Sequence, residues 1–551
     1  MIRILQIYYE IPFKHYISAK SLENRQKVWY NMFLKAIQEK EVRILSRLGK
    51  ILSSRLFVIS VLIFIQIAII VLPMFFLSAY FVPLFLFFEA ISFIISISIV
   101  NRNNNPDFKI AWLIPVLCFP VGGALLYLMF GRTHLNKKNT AKLKKTVESS
   151  KGIVTPDNEL LDMIGEKNPH LKREASYIIN NSRSNIYAFT TTEFLNPGSL
   201  FFDELIKELS KAENYIFLEY FIIGDGEMWQ NILSILKEKA ASGIEVRLMY
   251  DDIGTINLLP VDFPDQMKAF GINTVVFNPY KPSLDRFMNY RDHRKFAIID
   301  GKIAFTGGIN IADEYINRKE RFGYWEDSCV KLDGDAVKKV VVLFLEMWYF
   351  VTGEPQDYSK YAIDYQSKND GFVIPFSDEP LFRGLIHENA YINVINNAKQ
   401  YVYICTPYLI LDEVMESALI RAASSGIDVK IITPHIPDKK IIFEMTRANY
   451  ERLIEWGVEI YEFVPGFIHT KMIISDDTTS IVGTCNFDYR SFYLHFENGV
   501  WMHKSKAVMQ AKDSFLKALE VSQKITPEFC SNVRFGKQVI RSLLKVLSPL
   551  L

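Results

Sequence analysis

The sequence predicts an α/β protein made of two repeats, preceded by N-terminal transmembrane helices. We expect each repeat to be a β-sheet sandwiched by α-helices, and the two repeats to pack with pseudo-two-fold symmetry. One supporting observation is an alternation of apolar strands and amphipathic helices that occurs twice after about residue 176, as in sheets covered by helices. The other is a set of long apolar runs within residues 56–130, which is typical of membrane-spanning segments.

The N-terminal segment, residues 1–55, mixes charges with apolar residues. It lacks the short apolar core and small-residue cleavage site of a signal peptide, and we expect it to lie in the cytoplasm. The five cysteines are scattered without a Cys-x-x-Cys pattern, which argues against a disulfide framework or a zinc site and favours a reducing compartment. A net charge of +2 neither favours nor excludes a polyanionic partner.

The predicted transmembrane region comprises the apolar runs 56–100 and 110–130. The first run contains one charged residue, Glu89, and is long enough for two crossings of about 20 residues each. The second is long enough for one crossing but contains Pro115, Pro120, Gly122 and Gly123. Basic residues flank both ends of the region, so the positive-inside rule requires an even number of crossings. Three crossings conflict with that rule; either one run is re-entrant or hydropathy overcounts, and we favour two crossings.

Residues 131–175 form a basic linker between the apolar region and the repeats. We place the first repeat at 176–370 and the second repeat, with a C-terminal helix, at 371–551. Near the C-terminus, apolar positions recur at helical spacing with Arg541 and Lys545 between them. We expect this helix to pack on the second repeat, with binding to the membrane surface as the less favoured alternative.

The two repeats can be aligned at several strand and turn positions. An apolar strand at 215–223 matches one at 402–410, and Ser242-Gly243 matches Ser425-Gly426, where a helix ends before the next strand. The first repeat has about ten extra residues, 280–291, before its central motif. We expect this insertion to form a loop over the pocket.

A motif of histidine, lysine, aspartate and asparagine occurs once in each repeat. One residue separates the histidine from the lysine, the aspartate follows the lysine by five positions, and the asparagine follows the histidine by seventeen positions in both copies. The first copy consists of His293, Lys295, Asp300 and Asn310, and the second of His469, Lys471, Asp476 and Asn486. Chance is a poor explanation for two copies with the same internal spacing.

The motif residues suit the chemistry of a phosphodiester. In a β-strand, residues i and i+2 share a face, so each histidine and its lysine project together. Lysine ammonium groups and asparagine amides can hold the non-bridging oxygens, while one imidazole attacks phosphorus and the other protonates the leaving alcohol. Because the lysines neutralise the phosphate, we expect no metal and no other cofactor. Neither repeat contains both histidines, so the pocket must form between the repeats.

Four acidic residues are candidates for supporting roles. Asp300 and Asp476 each end an apolar strand just before a turn, so a turn-forming role is favoured over chemistry. Asp327 and Glu497 are better placed to orient an imidazole, because a carboxylate on one ring nitrogen fixes the tautomer and supports the cationic form. An exposed loop position is the alternative for these two acids.

These motifs resemble those of bacterial cardiolipin synthases of the phospholipase D superfamily, whose mark is two His-x-Lys-x4-Asp motifs in one chain. The resemblance covers roughly residue 56 to the C-terminus and includes the segments 218–222, 405–408, 483–491 and 547–551. It implies two phospholipase-D-like repeats whose catalytic residues are His293, Lys295, Asp300, His469, Lys471 and Asp476. It also implies that His293 is the nucleophile and that His469 is the general acid.

The resemblance implies reversible phosphatidyl transfer between two phosphatidylglycerols, giving cardiolipin and glycerol through a phosphohistidine intermediate. The partners would be these membrane lipids and no nucleic acid, with a multi-pass anchor in the cell membrane and a cytoplasmic catalytic domain. One alternative is a phospholipase D-type hydrolase or nuclease, in which water resolves the intermediate. Another is an inert membrane scaffold. The apolar region and near-neutral charge disfavour a nuclease, and two complete motifs disfavour a scaffold; the acceptor and the oligomeric state stay open.

Overall fold

The computed structural model describes residues 78–131, 137–280, 286–380 and 384–550, together with the single positions 61, 64 and 68. The predicted cytoplasmic segment and most of the first apolar run before residue 78 lie outside the described residues. The chain divides into two compact units. One is Met1–Phe88 with Pro282–Leu284, and the other is Glu89–Lys281 with Asp285–Leu551, which contains both repeats.

The described part of the chain begins with helices that precede the first strand. They are α1 (Ser78–Val100), α2 (Pro106–Cys118), α3 (Pro120–Phe130), α4 (Lys137–Ser149), α5 (Asn158–Lys167) and α6 (Pro169–Ser182). Prolines begin α2, α3 and α6, where the missing N–H group is not needed by the helix. Among the residues that the structure describes, no helix combines the length and apolar character needed to cross a membrane.

The first repeat alternates strands and helices, as the sequence predicts. Its first half contains β1 (Thr190–Leu195), α7 (Gly198–Ser210), β2 (Tyr215–Tyr220), α8 (Glu227–Ala241), β3 (Glu245–Asp251), α9 (Asp252–Thr255), α10 (Phe263–Ala269) and β4 (Asn273–Phe277). Its second half contains β5 (Arg291–Asp292), β6 (Phe296–Ile299), β7 (Ile303–Gly307), β8 (Tyr324–Glu326), β9 (Cys329–Gly334), α11 (Val337–Thr352) and α12 (Tyr358–Tyr361). Short 3-10 helices lie at Arg286–Asn289 and Asp313–Ile316.

The second repeat has the same alternation. Its first half contains β10 (Phe372–Asp378), α13 (Ile386–Asn397), β11 (Tyr401–Cys405), β12 (Leu409–Ile410), α14 (Glu413–Ser424), β13 (Asp428–Pro434), α15 (Lys440–Ala448), α16 (Tyr450–Glu455) and β14 (Glu459–Phe463). Its second half contains β15 (Gly466–Ile468), β16 (Met472–Ser475), β17 (Thr479–Gly483), β18 (Phe487–Asp488), α17 (Tyr489–Tyr493), β19 (His495–His503), α18 (Lys506–Glu520) and β20 (Ser522–Lys524). The chain ends with α19 (Pro527–Ser531), α20 (Phe535–Leu547) and a 3-10 turn at Ser548–Leu550.

The two repeats contain sheets with the same strand order. The first sheet runs β1-β9-β7-β6-β2-β3-β4, and the second runs β10-β19-β17-β16-β11-β13-β14 with β20 added at its edge. Strands β2, β3 and β4 are parallel in the first sheet, and β11, β13 and β14 are parallel in the second. The β6 and β16 strands run antiparallel to their neighbours β2 and β11. The predicted α/β class and the duplication are confirmed.

Helices cover both faces of each sheet. In the first repeat, Leu205 of α7 and Ile232 of α8 pack on one face of the sheet, and Leu419 of α14 does the same in the second repeat. The opposite faces of the two sheets share one apolar cluster, which includes Phe344 of α11 and Phe515 of α18. The central strands β6 and β16 are therefore buried on both sides, which explains their continuous apolar sequences.

Two short strands pair with the other repeat rather than with their own. Arg291 and Asp292 of β5 pair in parallel with the start of β19, where the partners are His495 and Phe496. Residues of β8 pair in parallel with β15, so that Glu326 lies opposite Ile468 in the ladder. The backbone that leads into each histidine motif is thus hydrogen-bonded to the other repeat. The first half of the predicted loop over the pocket, residues 281–285, lies outside the described residues.

Candidate active site

The two histidines lie just before the central strands of the two sheets. His293 precedes β6, and its backbone N–H donates to the carbonyl of Phe496, 2.9 Å away. His469 precedes β16, and its backbone N–H donates to the carbonyl of Glu326, 2.6 Å away. The backbone of each histidine is therefore hydrogen-bonded to the other repeat. The carbonyl that accepts this bond belongs to the residue just before an acid, Glu497 for His293 and Asp327 for His469.

Those acidic side chains bind the histidine rings. Nδ1 of His293 lies 3.0 Å from both carboxylate oxygens of Glu497, and Nδ1 of His469 lies 2.6 Å from Oδ2 of Asp327. Both carboxylates are buried. Because Nδ1 of each ring contacts a carboxylate, Nε2 is the nitrogen left to face a substrate. The sequence singled out both acids, and in the structure each contacts Nδ1 of the histidine of the opposite repeat.

The two lysines are buried behind the histidines. Nζ of Lys295 donates to the carbonyl of His293 at 2.5 Å, and Nζ of Lys471 donates to the carbonyl of His469. Burial lowers the pKa of Lys295 to about 8, against the attraction of Glu497 and Asp327. Burial likewise lowers the pKa of Lys471 to about 7, against the attraction of Asp327. An ammonium group held in such a place is stabilised by an anion, so the pocket favours a bound phosphate.

The intervening residue of the first motif contributes to the fold beneath the pocket. Arg294 donates from Nε to Oδ1 of Asp292 at 3.1 Å and forms an ion pair with Glu219 of β2 at 2.8 Å. All three side chains are buried. Alternate residues of an extended chain point to opposite sides, so Arg294 ties the strand to β2 while its neighbours serve the pocket.

The electrostatic environment keeps both imidazoles neutral in the free protein. Burial, followed by the charges of Lys295 and Lys471, lowers the pKa of His293 well below its usual range. Burial and Lys471 lower the pKa of His469 to about 4, although Asp327 acts in the opposite direction. Burial would raise the pKa of Asp327, but His469 and Lys471 outweigh it and hold that pKa below its usual range. A bound anion would raise the pKa of both histidines.

The two asparagines differ in how far their amides are occupied. Asn310 accepts the backbone N–H of Ile222 at 2.9 Å and donates to the hydroxyl of Tyr315 at 2.8 Å. Asn486 donates to Oγ of Ser491 at 3.2 Å, and within the described residues its Oδ1 has no hydrogen-bond partner. Both side chains are buried. An amide nitrogen has two N–H groups, so each asparagine retains one donor for a phosphate oxygen.

The structure leaves Asp300 and Asp476 outside this pocket. Each follows the end of its central strand that is opposite to the histidine, with φ of 54°. Asp300 accepts the backbone N–H groups of residues 213, 214 and 215, and Asp476 accepts those of residues 399, 400 and 401. Placing these aspartates among the catalytic residues therefore needs correction. They anchor the start of the neighbouring strand, in line with the turn-forming role that the residues themselves favour.

Comparison with known proteins gives a family for this arrangement. The model described as "Cardiolipin synthase, PLD-like domain" matches residues 205–348 and 391–519, and one described as "Phospholipase_D-nuclease N-terminal" matches residues 90–132. A cardiolipin synthase of Halalkalibacterium halodurans is 37% identical, covering 83% of this chain and 92% of its own. The chain belongs to the cardiolipin synthase family.

Two further relatives are similar to this chain in sequence, and one solved structure is similar to it in fold. A cardiolipin synthase of Alkalihalophilus pseudofirmus is 34% identical over 83% of this chain and 92% of its own length. An uncharacterized protein of Streptococcus mutans is 40% identical over 82% of this chain and 98% of its own. Phosphatidylserine synthase of Haemophilus influenzae has a TM-score of 0.53 at 16% identity, covering 68% of this chain and 97% of that one, and thus shares the fold.

In this cardiolipin synthase family member, the site includes two residues that the sequence reasoning missed. Oγ1 of Thr484 donates to Oε2 of Glu497 at 2.5 Å. The ring of His495 lies 5.5 Å from that of His293, and its Nδ1 is 3.4 Å from Oε1 of Glu497. Burial lowers the pKa of His495 to about 3. Because His495 lies two residues before Glu497 on β19, their shared strand face could have indicated the contact.

A group of possible metal ligands also occurs at this end of the pocket. Ligand atoms of His293, His495 and Glu497 all lie within 4.8 Å of one another. However, the charges of Lys295 and Lys471 act directly on His293, and two buried ammonium groups repel a divalent cation. The donor set therefore fits a metal ion poorly, and a phosphate ester is the better match for the site of this cardiolipin synthase family member.

Proposed function

We propose that the chain is a cardiolipin synthase that transfers a phosphatidyl group from one phosphatidylglycerol to another. The observation that carries this proposal is the reciprocal arrangement of the histidines. Each has Nδ1 against a buried carboxylate of the other repeat and a buried lysine behind its carbonyl. This arrangement provides two oriented imidazoles and two cationic groups for one phosphodiester.

In the first step, Nε2 of His293 attacks the phosphorus of the donor lipid. A P–N bond forms as the P–O bond to the headgroup glycerol breaks, and His469 gives its proton to the departing glycerol oxygen. The products of this step are free glycerol, a phosphatidyl group on His293 and a neutral His469. Glu497 supports the positive charge that develops on the ring of His293.

In the second step, the neutral His469 acts as the general base. It takes the proton from a hydroxyl of the second phosphatidylglycerol, and the resulting oxygen attacks phosphorus. A P–O bond forms, the P–N bond to His293 breaks, and cardiolipin leaves. His293 is neutral and His469 is protonated again, as both were in the donor-bound enzyme before the first step. Over the two steps together, one P–O bond to an alcohol replaces another, which makes the transfer reversible.

The assignment of the two histidines rests on the family resemblance, and the local charges support it. Burial and the charges of Lys295, Lys471 and His469 all lower the pKa of His293, which suits a neutral nucleophile. His469 has the closer carboxylate, Asp327 at 2.6 Å, which raises its pKa against burial. The phosphate brings a further negative charge that favours a protonated His469.

Charge neutralisation of the phosphate comes from Lys295, Lys471, Asn310 and Asn486 in this proposal. Both lysines are buried, where an ammonium group interacts with an anion more strongly than in water. Asp300 and Asp476 keep the strand ends in place. No bound metal takes part in either step.

The substrates are membrane lipids, and we place the enzyme at the cell membrane. In this proposal the multi-pass anchor lies in the apolar region 56–130 and needs the residues before 78, since none of its described helices can cross a membrane alone, and the catalytic repeats lie on the cytoplasmic side. The support for this anchor is the composition of the runs and the basic residues at both ends.

Lipid analysis after incubation of purified protein with phosphatidylglycerol tests the reaction. We expect cardiolipin and glycerol in equal amounts, and no product from the His293→Ala variant. His170→Ala is the matched control, because His170 is exposed on α6, and it should keep full activity. If phosphatidic acid forms without cardiolipin, water is the acceptor and the protein is a hydrolase.

Trapping of the intermediate tests the roles of the histidines. With a donor that has a good leaving group, His469→Ala should still accumulate a phosphohistidine at position 293, because such a group needs little protonation. His293→Ala should form none. A phosphohistidine mapped to position 469 in His293→Ala would reverse the two roles and leave the overall reaction unchanged.

A further inference from the structure

The C-terminal helix α20 carries an apolar surface that no part of the described chain covers. None of its side chains is buried. The exposed fractions of Phe535, Ile540 and Leu543 are 80%, 54% and 60%, and Val539, Val546 and Leu547 are also exposed. In contrast, a helix on the surface of a soluble domain normally turns its apolar side inward.

The basic side chains of α20 lie along its border with the protein. Lys537 and Arg541 bind the two carboxylate oxygens of Glu444 on α15, at 2.8 Å and 2.9 Å. Lys545 lies 3.8 Å from Glu416 on α14. These ion pairs hold the helix with its apolar side outward. The helix therefore leaves most of its apolar side uncovered, whereas a surface helix usually packs that side on the core.

The helix is attached to the region that precedes the repeats. Leu544 of α20 packs on a small cluster that contains Phe108 of α2 and Met445 of α15. α2 also leaves apolar side chains exposed, among them Ile110, Ile114 and Leu117. Two separate parts of the chain thus present uncovered apolar side chains around one shared cluster.

The same cluster connects to the candidate active site. It includes Tyr489, which follows Asn486 by three residues. The hydroxyl of Tyr489 donates to Asp107 of α2 at 2.7 Å, and Asn105 donates to Asp412 and to Tyr493 at 2.7 Å each. These hydrogen bonds join the start of α2 to the segment that follows Asn486.

We propose that α20 lies in the interfacial layer of a phospholipid bilayer and, together with α2, orients the active site toward its lipid substrates. The occupant of the apolar surface is the bilayer itself. Residues 534–550 contain four basic and no acidic residues, and Lys537 and Lys545 keep 45% and 41% of their side chains exposed beside the apolar side, so the segment is complementary to an anionic leaflet. This proposal concerns the orientation of the enzyme and does not depend on which lipid accepts the phosphatidyl group.

Depth measurements on the full-length protein test the position of the helix. A cysteine at Leu543 labelled with the fluorophore NBD, in a Cys118→Ser background, is reconstituted into phosphatidylglycerol vesicles that contain spin-labelled phospholipid. The matched control is Met509→Cys, because Met509 is an exposed apolar residue on α18. We expect strong quenching at 543 and little at 509. Equal quenching at both positions would overturn the proposal.

Activity measurements distinguish this proposal from the proposed reaction. The double variant Ile540→Glu/Leu543→Glu should lower turnover on phosphatidylglycerol vesicles by on the order of tenfold, because it puts two charges into the interface. It should leave turnover on short-chain, monomeric phosphatidylglycerol unchanged, and Met509→Glu should change neither. Unchanged turnover on vesicles would overturn the proposal.

The quenching experiment also distinguishes the bilayer from two other possible occupants of the apolar surface. A second copy of the chain, or the apolar run before residue 78, would shield the fluorophore at 543 in detergent and prevent quenching by lipid. Either result contradicts the bilayer as the occupant. Quenching requires no catalysis, so it decides the question even where a glutamate variant fails to fold.

Discussion

Replacing Lys471 with methionine should abolish activity and make the folded protein more stable. Burial lowers the pKa of Lys471 from 10.5 to about 7, and each pKa unit corresponds to about 1.4 kcal/mol. Keeping this ammonium group charged at pH 7 therefore costs the folded state about 4 kcal/mol. Methionine removes that penalty but loses the hydrogen bond to the carbonyl of His469, worth about 1 kcal/mol. The expected gain in the free energy of unfolding is about 3 kcal/mol.

The gain from Lys471→Met should depend on pH in a defined direction. The folded pKa lies below the unfolded pKa, so the folded wild-type protein binds fewer protons than the unfolded chain between about pH 7 and 10.5. The wild-type free energy of unfolding therefore rises with pH across this window. The advantage of the methionine variant should be largest at or below pH 7 and should disappear as the pH approaches 10.5.

Denaturant unfolding of the purified variants at pH 7 and pH 9.5 measures this effect, together with turnover on phosphatidylglycerol. Lys440→Met is the control, because Lys440 is exposed on α15, and it should change stability by less than about 0.5 kcal/mol. Turnover of Lys471→Met should fall by about 100-fold or more, as when a donor to a developing anion is removed. A less stable Lys471→Met variant would refute the reasoning, since the lysine would then support the fold.

Three other perturbations follow from the site. Asp300→Ala should lower the free energy of unfolding by about 2 kcal/mol, because three backbone N–H groups lose their acceptor. Turnover per folded molecule should stay the same. A loss of turnover in folded protein would show that Asp300 takes part in catalysis. Asp327→Asn should slow transfer from phosphatidylglycerol far more than transfer from a donor with a good leaving group, and equal losses in the two rate assays would contradict its action through His469. Turnover should persist in EDTA, since the lysines neutralise the phosphate; abolition with rescue by a divalent ion would contradict this mechanism.

The repeat and the two histidine–lysine pairs could be recognised in the sequence because they depend on local patterns. The spacing of His293 and Lys295 reflects the two-residue period of an extended chain, and the apolar runs after them reflect strands buried on both faces. Glu497 and Asp327 could be selected as candidates, because each is an acid next to an apolar strand. Such features can be predicted because the spacing of apolar residues and the burial of a strand depend on a single segment of the chain.

The pairing between repeats could not be predicted in the same way. His293 and Glu497 are 204 positions apart, and their contact depends on β5 joining the edge of a sheet in the other repeat. No local pattern specifies such a contact, since it arises from how two complete sheets pack. The contact of Thr484 with Glu497 depends on the same packing, and its counterpart in the first repeat, Gly308, has no side chain to suggest it. The domain boundaries and the transmembrane crossings stay predictions.

Because β5 and β8 pair with strands of the other repeat, the pocket cannot form before both repeats have been synthesised. A chain still on the ribosome that has released only its first repeat carries His293 without Glu497, and without any part of the second motif. Such a chain lacks the carboxylate that contacts Nδ1 of His293 and the second histidine of the pocket. The complete pocket therefore exists only after both repeats have been synthesised and have docked.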